Sequence, residues 1–201
     1  MTAVEFWFEF ASTYSYPAAM RVERVAAAAK VAVIWRPFLL GPVFGKQGLA
    51  DSPFNVYEQK GRYMWRDMAR ICEADGLDFK KPTVFPQNGL KAARIALLGM
   101  DEGWGADFAR AVYQANFVDG ALISDDGVLA DLLSTLKLDV TTTLERAYAQ
   151  DNKDRLKAQT EGAWEKGLFG APSFTVGDEL FWGNDRMETA IAWAVSEAAK
   201  N

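Results

Sequence analysis

Strand-forming sequence in this chain is confined to its two ends, and almost everything between them reads as helix. Residues 4 to 10 alternate, with Val4, Phe6, Phe8 and Phe10 on one face and Glu5, Trp7 and Glu9 on the other, which is the period of a strand. After the break at Ala11-Ser12-Thr13, Pro17 falls where an early helical position tolerates proline. Ala18 to Lys30 is then rich in alanine, with Met20, Val22 and Val25 for packing. Val31 to Phe38 is β-branched and aromatic, so the opening reads strand, helix, strand, a unit that pairs its strands in parallel. From Gly41 to Asn55 the sequence is Gly, Pro, Ser and Asn in character. Helical patterns follow over about 56–75, 88–102, 105–117, 125–136, 141–149 and 152–166, with Ser124 as an N-cap and Pro82 and Pro86 confining 82–87 to a loop. The chain ends on a strand at Ala171 to Val176, a hairpin-turn signal at Gly177-Asp178, a partner strand at Glu179 to Trp182, and a helix from Asp185 to Ala199.

This order predicts an α/β fold, a four-stranded thioredoxin-like sheet with a large all-helical insertion. Residues 1–40 and 167–201 would form the sheet domain and 41–166 the helical insertion domain. A length of 201 residues accommodates one sizeable domain carrying such an insertion. A formal charge of -5 with no clustered basic run argues against nucleic acid as a partner. The first residues show no basic region followed by an apolar one, and no apolar run reaches the roughly 18 residues of a membrane span. The expectation is a cytoplasmic protein with no membrane association.

Cys72 is the only cysteine and there is no histidine. An intrachain disulfide, Cys–His and Ser–His–Asp nucleophiles and histidine-based metal sites are thereby excluded, and no metal is expected. Any chemistry must come from hydroxyls, carboxylates, Lys or Arg, backbone groups, or a borrowed reagent. Cys72, beside Ile71 in a helical pattern, reads as a packed thiol.

Three segments could carry chemistry. The first, Phe10 to Pro17, runs from the carboxyl end of the first strand into the first helix, an edge where open α/β sheets bind ligands and where helix amides favour an anion. The spacing that holds Cys-x-x-Cys in thioredoxin-like redox proteins is here Ser12-Thr13-Tyr14-Ser15, which removes a redox couple and leaves Ser12 as either an N-cap or a ligand-binding hydroxyl. The second segment, Gly167 to Val176, places Pro172 at the mouth of a strand. A cis Ala171-Pro172 bond would turn the Ala171 backbone outward as an edge for a peptide-like ligand, whereas a plain loop proline would not. The third, Phe181 to Glu188, fits a capping box between Asp185 and Glu188. It also fits a site for a zwitterionic amino-acid end, with free amides for the carboxylate and Asp185 for the ammonium.

Together these segments resemble the 2-hydroxychromene-2-carboxylate isomerases and their relatives, the kappa-class glutathione transferases. The resemblance is carried by FWFEFASTYSYPA at the start, KGRYMWRDMARIC from Lys60 to Cys72, and GLFGAPSFTVGDELFWGNDRME from Gly167 to Glu188. It implies glutathione as cofactor, with Ser12 bonding its sulfur, Ala171 before Pro172 pairing with its cysteinyl unit, and Trp182, Gly183, Asn184 and Asp185 holding its γ-glutamyl end. Arg186 would act on glutathione or across a dimer contact. The implied substrate is a small unsaturated aromatic compound, with Lys46, Asn55, Lys60 and Asn88 as substrate-binding positions and Trp7, Trp65 and Trp182 as pocket aromatics. The implied reaction is reversible thiolate addition that opens the chromene ring, with kappa-like conjugation or peroxide reduction, or glutathione binding without catalysis, as alternatives. A homodimer is expected by the same resemblance.

Overall fold

A computed structural model describes residues 3–200. Four strands, β1 (Ala3–Phe8), β2 (Ala32–Pro37), β3 (Ser173–Val176) and β4 (Glu179–Trp182), form one sheet in the order β2-β1-β3-β4. β1 pairs with β2 in parallel, Phe6 opposite Trp35, and with β3 antiparallel, Phe6 opposite Phe174, while β3 and β4 make the hairpin. Strands from opposite ends of the chain, β1 and β3, are thus neighbours at the centre of the sheet. All four β3 residues are buried, whereas the edge strands β2 and β4 carry exposed positions.

The first helix, α1 (Ser15–Ala28), joins β1 to β2, and the sequence between the sheet halves holds α2 (Leu40–Lys46), α3 (Pro53–Val56), α4 (Glu58–Asp75), α5 (Leu90–Glu102), α6 (Gly105–Gln114), α7 (Asp126–Thr135), α8 (Val140–Ala147) and α9 (Gln150–Glu165). A π-helical turn, Ala115–Asp119, prolongs α6, and a 3-10 turn, Asn184–Arg186, precedes the last helix, α10 (Met187–Ala198). Two short helices, α2 and α3, thus occupy much of the stretch whose sequence is Gly, Pro, Ser and Asn in character. Pro42 is the third residue of α2, where a proline's missing N–H breaks no intrahelical bond. The N-cap of α7 is Asp125 rather than Ser124, its carboxylate accepting from the amides of Gly127 and Val128.

Both sheet faces are covered. Val4, Phe6 and Phe8 enter a large core with Val22 and Ala26 of α1, Ile191 and Ala194 of α10, and Phe108 and Val112 of α6. Each fully buried phenylalanine there contributes roughly 1.5–3 kcal/mol. On the opposite face Trp7 packs with Phe38, Val43 of α2, Ala163 of α9 and Leu168, so it is core rather than a pocket wall. Cys72 is buried in α4, and burial pushes its thiol up to about 12.

Candidate active site

The turn from Glu9 to Ser12 has its polar backbone engaged from several sides. Tyr113 of α6 donates to the Glu9 carbonyl at 2.9 Å and Asn116 donates to the Phe10 carbonyl at 3.0 Å. The Ala11 amide donates to the Glu9 carboxyl at 2.9 Å, and the Ser12 amide to the Glu9 carbonyl at 3.1 Å. Gln87 in turn donates to Asn116 at 2.9 Å, so the helical region grips the end of β1 through side chains. Past the turn, Tyr14 donates to Asp67 of α4 at 3.0 Å, and burial, then Asp67, raises its phenol above the ordinary value.

That frame sets Ser12 against the second segment. The Ala171-Pro172 bond is cis, and the Ser12 hydroxyl donates to the Ala171 carbonyl at 2.8 Å. The same oxygen accepts from the Ser15 amide at 3.3 Å, so Ser12 serves the start of α1 and the Ala171 backbone at once. The Pro172 carbonyl accepts from the Gly183 amide at 2.9 Å, which joins the third segment to this edge.

In the third segment Gly183 has φ 114, a conformation that favours glycine, and a Cβ there would lie 2.5 Å from the Asp185 carboxylate. Asn184 is buried, its side-chain oxygen accepting from Arg21 of α1 at 3.2 Å, and Arg21 also pairs with Asp75 of α4 at 3.1 Å and Glu188 at 3.2 Å. The expected capping box is absent: the 3-10 turn puts Asp185 ahead of the helix, and Glu188 pairs with Arg21 instead. Asp185 and Arg186 are exposed and pair with each other at 3.0 Å. Trp182 is 53% exposed, its ring 4.9 Å from that of Phe169, and it lies so near Gly170 that a Cβ there would meet its indole nitrogen at 2.4 Å.

The four expected substrate-binding positions stand on different elements or at their ends. Lys46 ends α2 with its ammonium 5.1 Å from the Trp164 ring, and both line a cavity of about 420 Å³ between α2, the start of α5 and α9. Leu90 and the cations Arg94, Lys153 and Lys157 line it too, facing Asp154 and Glu161. Asn55 donates to Asp51 at 3.0 Å and to the Phe85 carbonyl at 3.2 Å. Asn88 accepts from the Leu90 amide at 3.0 Å at the start of α5. Lys60 is exposed, its ammonium 4.8 Å from the Tyr57 ring. Trp65 stands against Phe85, 4.8 Å between ring centres.

Residues that the sequence reading did not select are Glu9, Arg21, Arg94 and Trp164. Burial pushes the Glu9 carboxyl up to about 8 against the lowering effect of the Ala11 and Ser12 amides. Glu9 falls in the outward register of the strand alternation, and only the packing of distant elements marks it. Among the described residues no group of three or more acidic, Cys or His side chains could hold a metal ion, and no helix is long and apolar enough to cross a membrane.

A family model, that of the DSBA-like thioredoxin domain, matches residues 3–191. A curated relative from Sphingobium xenophagum, named 2-hydroxychromene-2-carboxylate isomerase, is 26% identical over 187 residues, covering 92% of this chain and 94% of the relative. A relative of the same name from Pseudomonas putida is 28% identical over 193 residues, covering 92% and 90%. A solved structure of a 2-hydroxychromene-2-carboxylate isomerase superposes with a TM-score of 0.87 at 23% identity, covering 98% of each chain, a likeness of fold.

Proposed function

This chain belongs to the DSBA-like thioredoxin domain family, and from that premise we propose that it is a glutathione-dependent isomerase acting on an unsaturated aromatic carboxylate of the 2-hydroxychromene-2-carboxylate type. The observation that carries the proposal is the 2.8 Å bond from the Ser12 hydroxyl to the Ala171 carbonyl, a donor and a peptide acceptor held together at the start of α1. The names of the curated relatives support the reaction class. Because Cys72 is buried with its thiol raised to about 12, the chain has no thiolate of its own to offer at neutral pH.

The residues fit a tripeptide thiol. Ser12 can turn its O–H from Ala171 to a sulfur anion, and the amides at the start of α1 add their positive dipole, which together lower a thiol's pKa. The Ala171 carbonyl, released by Ser12, can accept a peptide N–H from the ligand, so one hydrogen bond replaces another. Asn184, braced by Arg21, holds the turn whose amides and exposed Asp185 carboxylate suit the two charges of an amino-acid end. When bound, glutathione would supply a nucleophilic sulfur for reversible addition to the unsaturated substrate, and so would not be consumed. The cavity beside Lys46 and Arg94, walled by Leu90 and Trp164, suits a flat anionic substrate.

The test is to incubate the protein with 2-hydroxychromene-2-carboxylate, with and without glutathione, and to follow the ring-opened trans product and the thiol content. Conversion that requires glutathione and leaves its thiol content unchanged is expected. Accumulation of a thioether would make the protein a transferase, and no conversion under either condition would overturn the proposal.

A further inference from the structure

Glu9 is the only carboxyl group among the buried residues described, 8% exposed where β1 gives way to the Ser12 turn. Its carboxyl accepts from the Ala11 amide at 2.9 Å, and its carbonyl accepts both the Ser12 amide at 3.1 Å and the Tyr113 hydroxyl at 2.9 Å. Gly89 packs against the same carboxyl, since a Cβ at that position would lie 3.0 Å from the second Glu9 oxygen and 2.9 Å from the Phe10 Cβ. Both residues leading into the site, Ala11 and Ser12, are therefore held by Glu9.

Among the described residues no cation favours the charged form of Glu9. Glu9 is largely buried, and the groups favouring its charge are the amides of Ala11 and Ser12. From α6, Tyr113 faces it as a neutral phenol, its own ionisation pushed well up by burial and then by Glu9, and the segment before α5 presents Gly89. A carboxylate in that setting is costly, and burial pushes the Glu9 carboxyl up to about 8.

We propose that Glu9 is a positioning residue that works as a protonated acid, bracing the Ser12 turn while keeping negative charge away from a thiolate bound at Ser12. The second half of this statement rests on the glutathione reading above. A carboxylate at Glu9 and a thiolate at Ser12 are like charges on one turn, so each opposes the ionisation of the other, and a neutral Glu9 leaves the thiolate unopposed.

A protonated Glu9 also affects folding without any ligand. The Glu9 pKa is raised from 4.5 to about 8 on folding, so between those values the folded chain keeps a proton that the unfolded chain has lost. Its stability contribution is full below the unfolded value and is lost as pH rises through the folded value. It lowers the folding equilibrium constant by up to about tenfold per pH unit across that window. Glu9→Gln keeps an acceptor for the Ala11 amide and removes the titration.

The experiment is denaturant unfolding of wild type and Glu9→Gln from pH 5 to 9, together with calorimetric binding of glutathione and of S-methylglutathione at pH 7 and 9. Relative to Glu9→Gln, wild type is expected to lose folding stability as pH rises toward 8 and to lose about tenfold more affinity for glutathione between pH 7 and 9. S-methylglutathione, which has no thiolate, is expected to show no such difference. Superimposable unfolding profiles would overturn the protonated acid, and differing profiles with identical glutathione profiles would overturn its action on the thiolate. Absence of glutathione binding in both proteins would instead defeat the proposed function, and the bracing acid would stand or fall on the unfolding comparison.

Discussion

The segments that follow β1 and β2 reach the same end of the sheet but are built differently. After β1, the Glu9–Ser12 turn is held by Tyr113, Asn116 and the Glu9 carboxyl, all buried, and by Ser12 itself on Ala171. After β2, α2 and α3 bury a single side chain, Val43, and the stretch between them is tied by exposed bonds such as Asn55 to Asp51. One side is fixed by many buried contacts and the other by few. A fixed hydroxyl suits a reaction step common to many substrates, while a loosely determined wall is where substrate choice can vary.

The contrast is sharpened by two asparagines. Asn116→Ala leaves the buried Phe10 carbonyl without its side-chain donor, and a loss of about 1–3 kcal/mol is expected in denaturant unfolding. Asn55→Ala removes exposed bonds and is expected to lose less than about 1 kcal/mol in the same measurement. Equal losses, or the reverse order, would mean that the segment after β1 is held no more firmly than the one after β2.

A second pair separates the lysines by kinetics. Lys46→Ala removes a cation from the cavity wall and is expected to raise the KM for a carboxylate substrate by up to about fivefold, with kcat little changed. Lys60→Ala, which removes an exposed ammonium beside Tyr57, is expected to leave KM within about twofold and stability within about 0.5 kcal/mol. A larger effect at Lys60 than at Lys46 would place the substrate on the α4 side.

How much of this was legible in the sequence varied with the reach of the contacts. Strand and helix periods are local, and β1, β4 and the long helices follow them. The Leu40–Lys46 helix was hidden because Gly41, Pro42 and Gly45 look like breakers, although a proline in the first turn costs no bond. Trp7 and Glu9 share the outward register of the 4–10 alternation, yet Trp7 is covered by α2 and α9 and Glu9 by α6 and Gly89. Alternation reports one face and cannot tell what distant elements lay over the other. At the site, Ser12 and Ala171 were both marked by their segments, and the structure brings them together across 159 residues. Arg21 was missed because a helix arginine carries no local sign that it will brace Asn184.

Whether Ser12 holds a borrowed thiolate is decided by calorimetry of wild type and Ser12→Ala with glutathione, while the ultraviolet absorbance of the thiolate is followed across pH on both complexes. Wild type is expected to bind glutathione with its thiol ionising below the free value, and Ser12→Ala to show that ionisation moved up by roughly one unit or more. A bound thiol that ionises at the same pH in both proteins, or wild type that binds no glutathione, would mean that Ser12 holds no thiolate.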